Sequence, residues 1–260
     1  MRIPLTKYGW PQVVIFPAVV LAVMVVFLLG TQHQLSLGSR LIGAGLLAVI
    51  LMWSLMFFRD PQRRCPSDKN LLLAPADGQV TDIETIQEYN FINGAALRIG
   101  IFMSIFDTHI NRAPCNVKVE KITYRKGKFK NAMNPESGRV NESNDLYLLR
   151  TDSPEDKLIV RQISGAIARR IVCDTVQGSE LTGGQKFGMI KFGSRTELYV
   201  PLHKAATPGS ERHPPAAGVK CLVQIGDKVK AGLTPLVTYE IRSTKQIQRT
   251  KIQNLKVLNI

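Results

Sequence analysis

Between Pro11 and Phe58 the chain carries one formal charge, Arg40, and no acidic residue. So long an uncharged stretch does not suit the surface of a soluble domain, where charged side chains are the rule. Cysteine is scarce: Cys65, Cys115, Cys173 and Cys221 are scattered, with no C-x-x-C pair and no histidine at ligand spacing. This argues against a disulfide framework and a zinc site, and leaves reduced thiols, buried or half-buried. Nucleotide signatures are missing too. Gly183-Gly184-Gln185-Lys186 lacks the spacing of a phosphate loop, and no G-x-G-x-x-G opens a βαβ unit. Carboxylates paired at metal-ligand spacing are absent, so no metal is expected. Acidic residues are few beside basic ones, 20 against 34, for a net charge of +14. That excess points to an anionic partner, nucleic acid or anionic lipid headgroups, or to nothing more than a solvated basic surface.

What is present divides the chain in two. Pro11 to Gly30 and Leu41 to Phe58 are apolar runs, each close to the roughly 20 residues a helix needs to cross a hydrocarbon core. No small-residue cleavage site follows the first run, and a second follows closely, so a helical hairpin is favoured over a signal peptide. Arg2 and Lys7 precede the pair, and Arg59, Arg63 and Arg64 follow it. By the positive-inside rule both ends, and the soluble body with them, face the cytoplasm at the cell membrane. A hairpin lying shallowly in one leaflet remains an alternative. Residues 1–58 are thus read as a membrane anchor and 59–260 as the functional domain.

The second part is mainly β (α+β), a β-rich body with few short helices. Leu71–Leu73, Gln79–Ile83, Ala96–Phe102, Val117–Tyr124, Tyr147–Leu149 and Leu158–Ile163 are β-rich runs punctuated by turn residues. Lys186–Phe192 and Glu197–Val200 predict two strands flanking Gly193-Ser194, and Cys221–Ile225 opens a turn-rich β unit. Gln162 to Val172 is the best helix candidate, with Ile163, Ile167 and Ile171 at four-residue spacing. His203 to Gly218 reads as a loop. The basic stretch from Arg242 to Lys256 has no assignment.

Three places carry the residue types of catalysis. Gly193-Ser194 is ordinarily turn chemistry, but here it sits between two apolar strands. Glycine permits backbone dihedrals that other residues avoid, and a serine hydroxyl beside the preceding carbonyl suits an N-to-O acyl shift. Pro75-Ala76-Asp77-Gly78 is either a plain turn or a source of a carboxylate, Asp77, that orients a histidine and stabilises its protonated form. His109 closes the apolar stretch Ile99–Phe106. It is either a structural histidine or a general acid/base near neutral pH. His33, His203 and His213 lie in loops and are read as non-catalytic.

Together these residues resemble a known family. Phe57–Arg63 (FFRDPQR), Leu71–Val80 (LLLAPADGQV), Phe102–Val117 (FMSIFDTHINRAPCNV), Gln162–Cys173 (QISGAIARRIVC) and Phe187–Pro201 (FGMIKFGSRTELYVP) resemble the short-form phosphatidylserine decarboxylases from about Phe57 to Gly232. The resemblance implies a proenzyme that cuts itself between Gly193 and Ser194 into a β subunit (1–193) and an α subunit (194–260). It implies a covalent pyruvoyl cofactor made from Ser194, which forms a Schiff base with the substrate amine and acts as electron sink. Phosphatidylserine would become phosphatidylethanolamine. Asp77 matches the aspartate of the family's Asp-His-Ser arrangement.

One position departs from the pattern. Longer members carry H-x-x-H-x-P, whereas this chain reads His109-Ile110-Asn111-Arg112-Ala113-Pro114. His109 matches the first histidine and Arg112 replaces the second, the one assigned to cleavage. His109 is therefore expected to serve decarboxylation and to assist cleavage, and Arg112 to clamp the substrate phosphate or carboxylate. The expected partners are phosphatidylserine, membrane lipids, the two cleavage products and further copies of the chain, with no nucleic acid. The rival reading is a non-catalytic, membrane-anchored, barrel-sandwich-like adaptor or scaffold. It rests on the turns at Ala74–Val80 and Gly226–Gly232, which resemble those of carrier domains but lack the M-K-M tip. A pyruvoyl decarboxylase of a soluble amino acid is the second rival, disfavoured by the hairpin and the basic charge.

Overall fold

The computed structural model describes residues 5–166, 170–191, 193–202 and 218–240. The uncharged runs form two helices, α1 (Gln12–Gly30) and α2 (Leu37–Phe57), each long and apolar enough to span a membrane. They pack on one another. Ser36 caps α2 by accepting from the Ser39 amide, and Arg40 reaches back to the Leu28 carbonyl at 2.8 Å. α1 buries none of its residues in the protein, and Val26 and Ile42 stand 70% and 69% exposed. Apolar side chains so displayed find a suitable solvent only in lipid. The pair has the arrangement of a membrane hairpin.

The body beyond it is built from antiparallel strands. The described strands are β1 (Leu71–Leu73), β2 (Gly78–Glu88), β3 (Gly94–Met103), β4 (Ile110–Arg112), β5 (Val117–Arg125), β6 (Ser143–Arg150) and β7 (Lys157–Ile163). After them come β8 (Ile171–Cys173), β9 (Glu180–Leu181), β10 (Lys186–Ile190), β11 (Ser194–Pro201), β12 (Gly218–Cys221), β13 (Lys228–Val229) and β14 (Pro235–Glu240). One short helix, α3 (Ser137–Val140), interrupts them. An eight-stranded sheet runs β13-β2-β3-β11-β7-β6-β5-β9, and two small sheets, β1-β14-β12 and β4-β10-β8, complete the body. The expected β-rich class is what the chain adopts. β13 pairs with β2 at Gln79↔Lys228, so the two carrier-like turns are sheet neighbours.

β11 lies in the interior of the large sheet, bonded to β3 on one side and β7 on the other. Strand periodicity puts Ser194, Thr196, Leu198 and Val200 on one face. Leu198 and Val200 pack there with Ile99, Ile101, Leu146 and Val160. The opposite face carries Arg195 and Glu197, both fully buried. Arg195 bonds Asp82 at 2.6 Å and Glu197 at 2.9 Å. Removing one partner of such a buried pair costs about 3–5 kcal/mol, so these ions fix the register of β11.

One sequence expectation fails. Gln162–Ile163 end β7 and Ile171–Cys173 form β8, so no helix runs from Gln162 to Val172; residues 167–169 lie outside the described set. The four-residue spacing of three isoleucines suits strands as well as helices. The Gln162 side chain decides for strand, because it is bound in the sheet to Asn111 and Asn144 at 2.9 and 3.0 Å. The turn-rich β unit expected from Cys221 onward is present, with β12 ending at Cys221 and β13 and β14 following. Residues 203–217, with His203 and His213, and the tail from 241 lie outside the described set. The four cysteines are free thiols, Cys115 buried and the others half-buried, as expected.

The hairpin is docked on the body. Tyr8, Phe57 and Phe58 form a cluster with Ile110 of β4 and Met189 of β10. Phe57 and Phe58 are each 1% exposed. A fully buried aromatic is typically worth about 3–5 kcal/mol, so the helical hairpin is fixed to the small sheet β4-β10-β8.

Candidate active site

The turn between β10 and β11 brings Gly193 and Ser194 beside His109. Gly193 has φ +63, a conformation that disfavours side chains, which is why glycine stands there. Its amide donates to His109 Nε2 at 3.2 Å. Because Nε2 accepts, the proton of the neutral imidazole sits on Nδ1, which is bonded to the Asp107 carbonyl at 3.0 Å. The Gly193 carbonyl lies against Gly165: a Cβ on residue 165 would meet that oxygen at 2.1 Å. Ser194 itself is fully buried, and its Oγ has no hydrogen-bond partner among the described residues. A buried hydroxyl left unbonded is costly, and such groups concentrate where chemistry happens.

His109 is fully buried, and the Phe57 ring at the end of α2 covers it at a centroid distance of 4.6 Å. Burial drives its pKa down to about 4, with Arg59 acting in the same direction and Asp107 and Asp77 opposing. The imidazole is therefore neutral at pH 7, with a basic nitrogen pointed at the 193 amide.

Asp77 is not hydrogen-bonded to His109. Arg63 grips its carboxylate bidentately at 2.5 and 2.7 Å, and the Ala231 amide adds a third bond at 2.8 Å. Imidazole orientation falls to the Asp107 carbonyl instead, and Asp77 acts on His109 only through its charge. Arg112 is 5% exposed, and its guanidinium is committed to the Gly184 and Pro61 carbonyls at 2.9 and 3.1 Å. Asn111, between the two matched motif residues, donates to Thr196 Oγ1 at 3.0 Å and so ties β4 to β11.

Sequence reasoning named Ser194, Gly193, His109, Asp77 and Arg112 but missed Gly165, Asp107, Arg63 and Phe57. All four lie inside the quoted motifs, so a signal existed; their contacts in the fold were not legible from it.

Comparison with known proteins shows the family. A family model described as phosphatidylserine decarboxylase matches residues 51–236. Three curated relatives are each named phosphatidylserine decarboxylase proenzyme. That of Desulfotalea psychrophila is 40% identical over 184 residues, covering 71% of this chain and 78% of the relative. Symbiobacterium thermophilum contributes one that is 39% identical over 235 residues, covering 90% and 95%. The third, from Azorhizobium caulinodans, is 35% identical over 249 residues, covering 94% and 93%. With its motifs carried on β2, β4, β10 and β11 and its matches running along most of its length, this chain belongs to the phosphatidylserine decarboxylase family.

Proposed function

We propose that this protein is a self-processing proenzyme whose mature form converts phosphatidylserine to phosphatidylethanolamine at a membrane, with its body on the cytoplasmic face. One observation carries the reading: the buried, unbonded Ser194 hydroxyl follows a glycine whose amide is held by His109 and whose carbonyl is pressed on Gly165.

In the proposed cleavage, Ser194 Oγ adds to the Gly193 carbonyl carbon and the Gly193–Ser194 amide becomes an ester. His109, neutral and aimed at residue 193, is the base nearest this bond by its contacts. Loss of the Ser194 α-proton then expels the Gly193 carboxylate, and water replaces the resulting amine nitrogen, which leaves as ammonia. The products are chains 1–193 and 194–260, the second beginning with a pyruvoyl group. The residues present suit its formation: the hydroxyl is desolvated, unbonded and next to a glycine. Such a group supplies an electrophilic carbonyl that takes the substrate amine covalently and accepts the electron pair released with carbon dioxide. His109 Nε2 is the proposed site that returns a proton to the substrate carbon. Asp77 stabilises the charged imidazolium across space. Arg112 is assigned to holding the Gly184 turn against Pro61, since a substrate clamp would first break both carbonyl bonds.

Intact-mass measurement of the purified protein tests the proposal. Two chains are expected, the smaller lighter by one ammonia than a fragment beginning with free serine. A single unbroken chain that still decarboxylates the lipid overturns it, and an unbroken chain without activity returns the adaptor reading. Free serine offered in place of the lipid should yield no carbon dioxide.

The Gly165 contact gives its own expectation. Gly165→Ala should slow self-cleavage by about tenfold or more, because the added methyl must push the Gly193 carbonyl from its place. Time courses of band conversion on a denaturing gel, run with circular dichroism to verify folding, measure it.

A further inference from the structure

Most buried cations described in this protein are answered by acceptors. Arg63 and Arg195 pair with carboxylates, and Arg112 and Arg150 spend their N–H groups on backbone carbonyls. Lys191 is different. It is 3% exposed and follows β10 directly, three residues before Ser194. Its Nζ donates to one neutral acceptor, Gln12 Oε1, at 2.8 Å, and no carboxylate among the described residues forms an ion pair with it. The charge that acts on it is another cation, Arg170, whose carbonyl accepts from the Lys191 amide at 3.2 Å. Burying an ammonium without a counter-charge is expensive, and burial here lowers its pKa from the ordinary lysine value. A cation kept under those conditions is set up for an anion that arrives from outside.

The place selects which anion. Gln12 is the first residue of α1, so its bond fixes Nζ where the apolar span begins, which with the hairpin in a bilayer would be near the lipid phosphates. Three residues of chain separate the Cα atoms of Lys191 and Ser194 by at most about 10 Å. A headgroup held by its phosphate at Lys191 therefore has its serine end within reach of residue 194, while its tails lie along α1 and α2.

We propose that Lys191, steadied by Gln12, binds the phosphodiester of the substrate lipid. The assignment rests on the function proposed above and names the anion subsite of that same site.

Full-length protein in lipid nanodiscs tests it. Binding is measured in a Ser194→Ala background, where neither cleavage nor turnover interferes. The ligands are phosphatidylserine with six-carbon chains and, as control, the diacylglycerol of the same chains, which lacks the phosphate. Lys191→Met should weaken phosphatidylserine binding by about thirtyfold and leave diacylglycerol binding unchanged, with Lys191→Arg staying within about threefold. In the cleaving background, Lys191→Met should raise KM by about tenfold or more, with kcat within about threefold and self-cleavage complete. Unchanged affinity for phosphatidylserine overturns the assignment, and so does an equal loss for diacylglycerol, which would mark general damage to packing. Inorganic phosphate displacing the lipid at equal concentration would assign the subsite to a free anion and overturn the lipid reading. The binding arm needs no cleavage, so a wild-type chain that stays whole defeats the proposed function while this affinity difference is still read.

Discussion

Ser194→Ala is expected to remain one uncut 260-residue chain and to lose phosphatidylserine decarboxylation by at least about a thousandfold, to the limit of detection. The loss is total because the serine would be both the nucleophile of cleavage and the source of the cofactor. Stability should move the other way or not at all. Ser194 Oγ is buried and unbonded among the described residues, so deleting it removes a desolvation cost and breaks no described bond. A melting temperature within about 4 °C of the wild-type proenzyme is expected, since a change of 1 kcal/mol shifts a domain of this size by about 2–4 °C. Denaturing gels, a lipid decarboxylation assay and thermal unfolding measure the three effects. Cleavage persisting in the variant would move the cut to another bond and remove Ser194 from its role.

His109→Ala carries the second large effect. General acid/base groups contribute about 10²–10⁴ in rate, and both steps assigned to His109 should fall by that order. Cleavage and turnover are scored separately, turnover on the fraction that has cut. Loss of turnover with normal cleavage confines His109 to decarboxylation, and normal performance in both removes it from the mechanism. His109→Gln is the companion variant, since it keeps an acceptor near the Gly193 amide and leaves a smaller hole beneath Phe57.

pH sharpens the same test. The folded-state pKa of about 4 lies below the unfolded value of about 6.5, so the unfolded chain takes the proton first as pH falls. Stability linked to His109 is thus fully present above pH 6.5 and is lost between there and pH 4, about 3 kcal/mol in all. Asp107 and Asp77 favour the protonated ring and Arg59 opposes it, and none of them outweighs burial. The cleavage rate should be flat from pH 6 to 8 and fall only toward pH 4. Denaturant midpoints taken across that range, with His109→Gln as control, should show the acid-side slope shrinking in the variant.

The sequence disclosed much of this through local pattern. The missing charge between Pro11 and Phe58 is enough to announce the hairpin, because lipid tolerates little else. Alternation and turn residues located β2, β3, β5 and β7 to within a few residues. Where pattern was ambiguous it misled: Ile163, Ile167 and Ile171 fit a helix, and only the cross-strand bonds of Gln162 tell otherwise. The site divides the same way. Ser194 and His109 stand out as residue types in motifs. Asp77 looked like the partner of a histidine, but Arg63, 14 residues earlier, claims its carboxylate. Lys191 looked like one basic residue among many, and its meaning comes from Gln12, 179 residues away.

The position of β11 bears on how the proposed cleavage would proceed. Its first residue is the one that would become a chain terminus, yet it is laced between two neighbours and anchored by Arg195. The proposed cut there would leave the architecture standing while changing the order of any later refolding from one molecule to two. The precursor would find its fold alone; the two proposed fragments, once unravelled, would first have to meet each other, at a rate set by dilution. On that proposal synthesis would have a single opportunity: the scaffold completed first, with the knife part of what has been built.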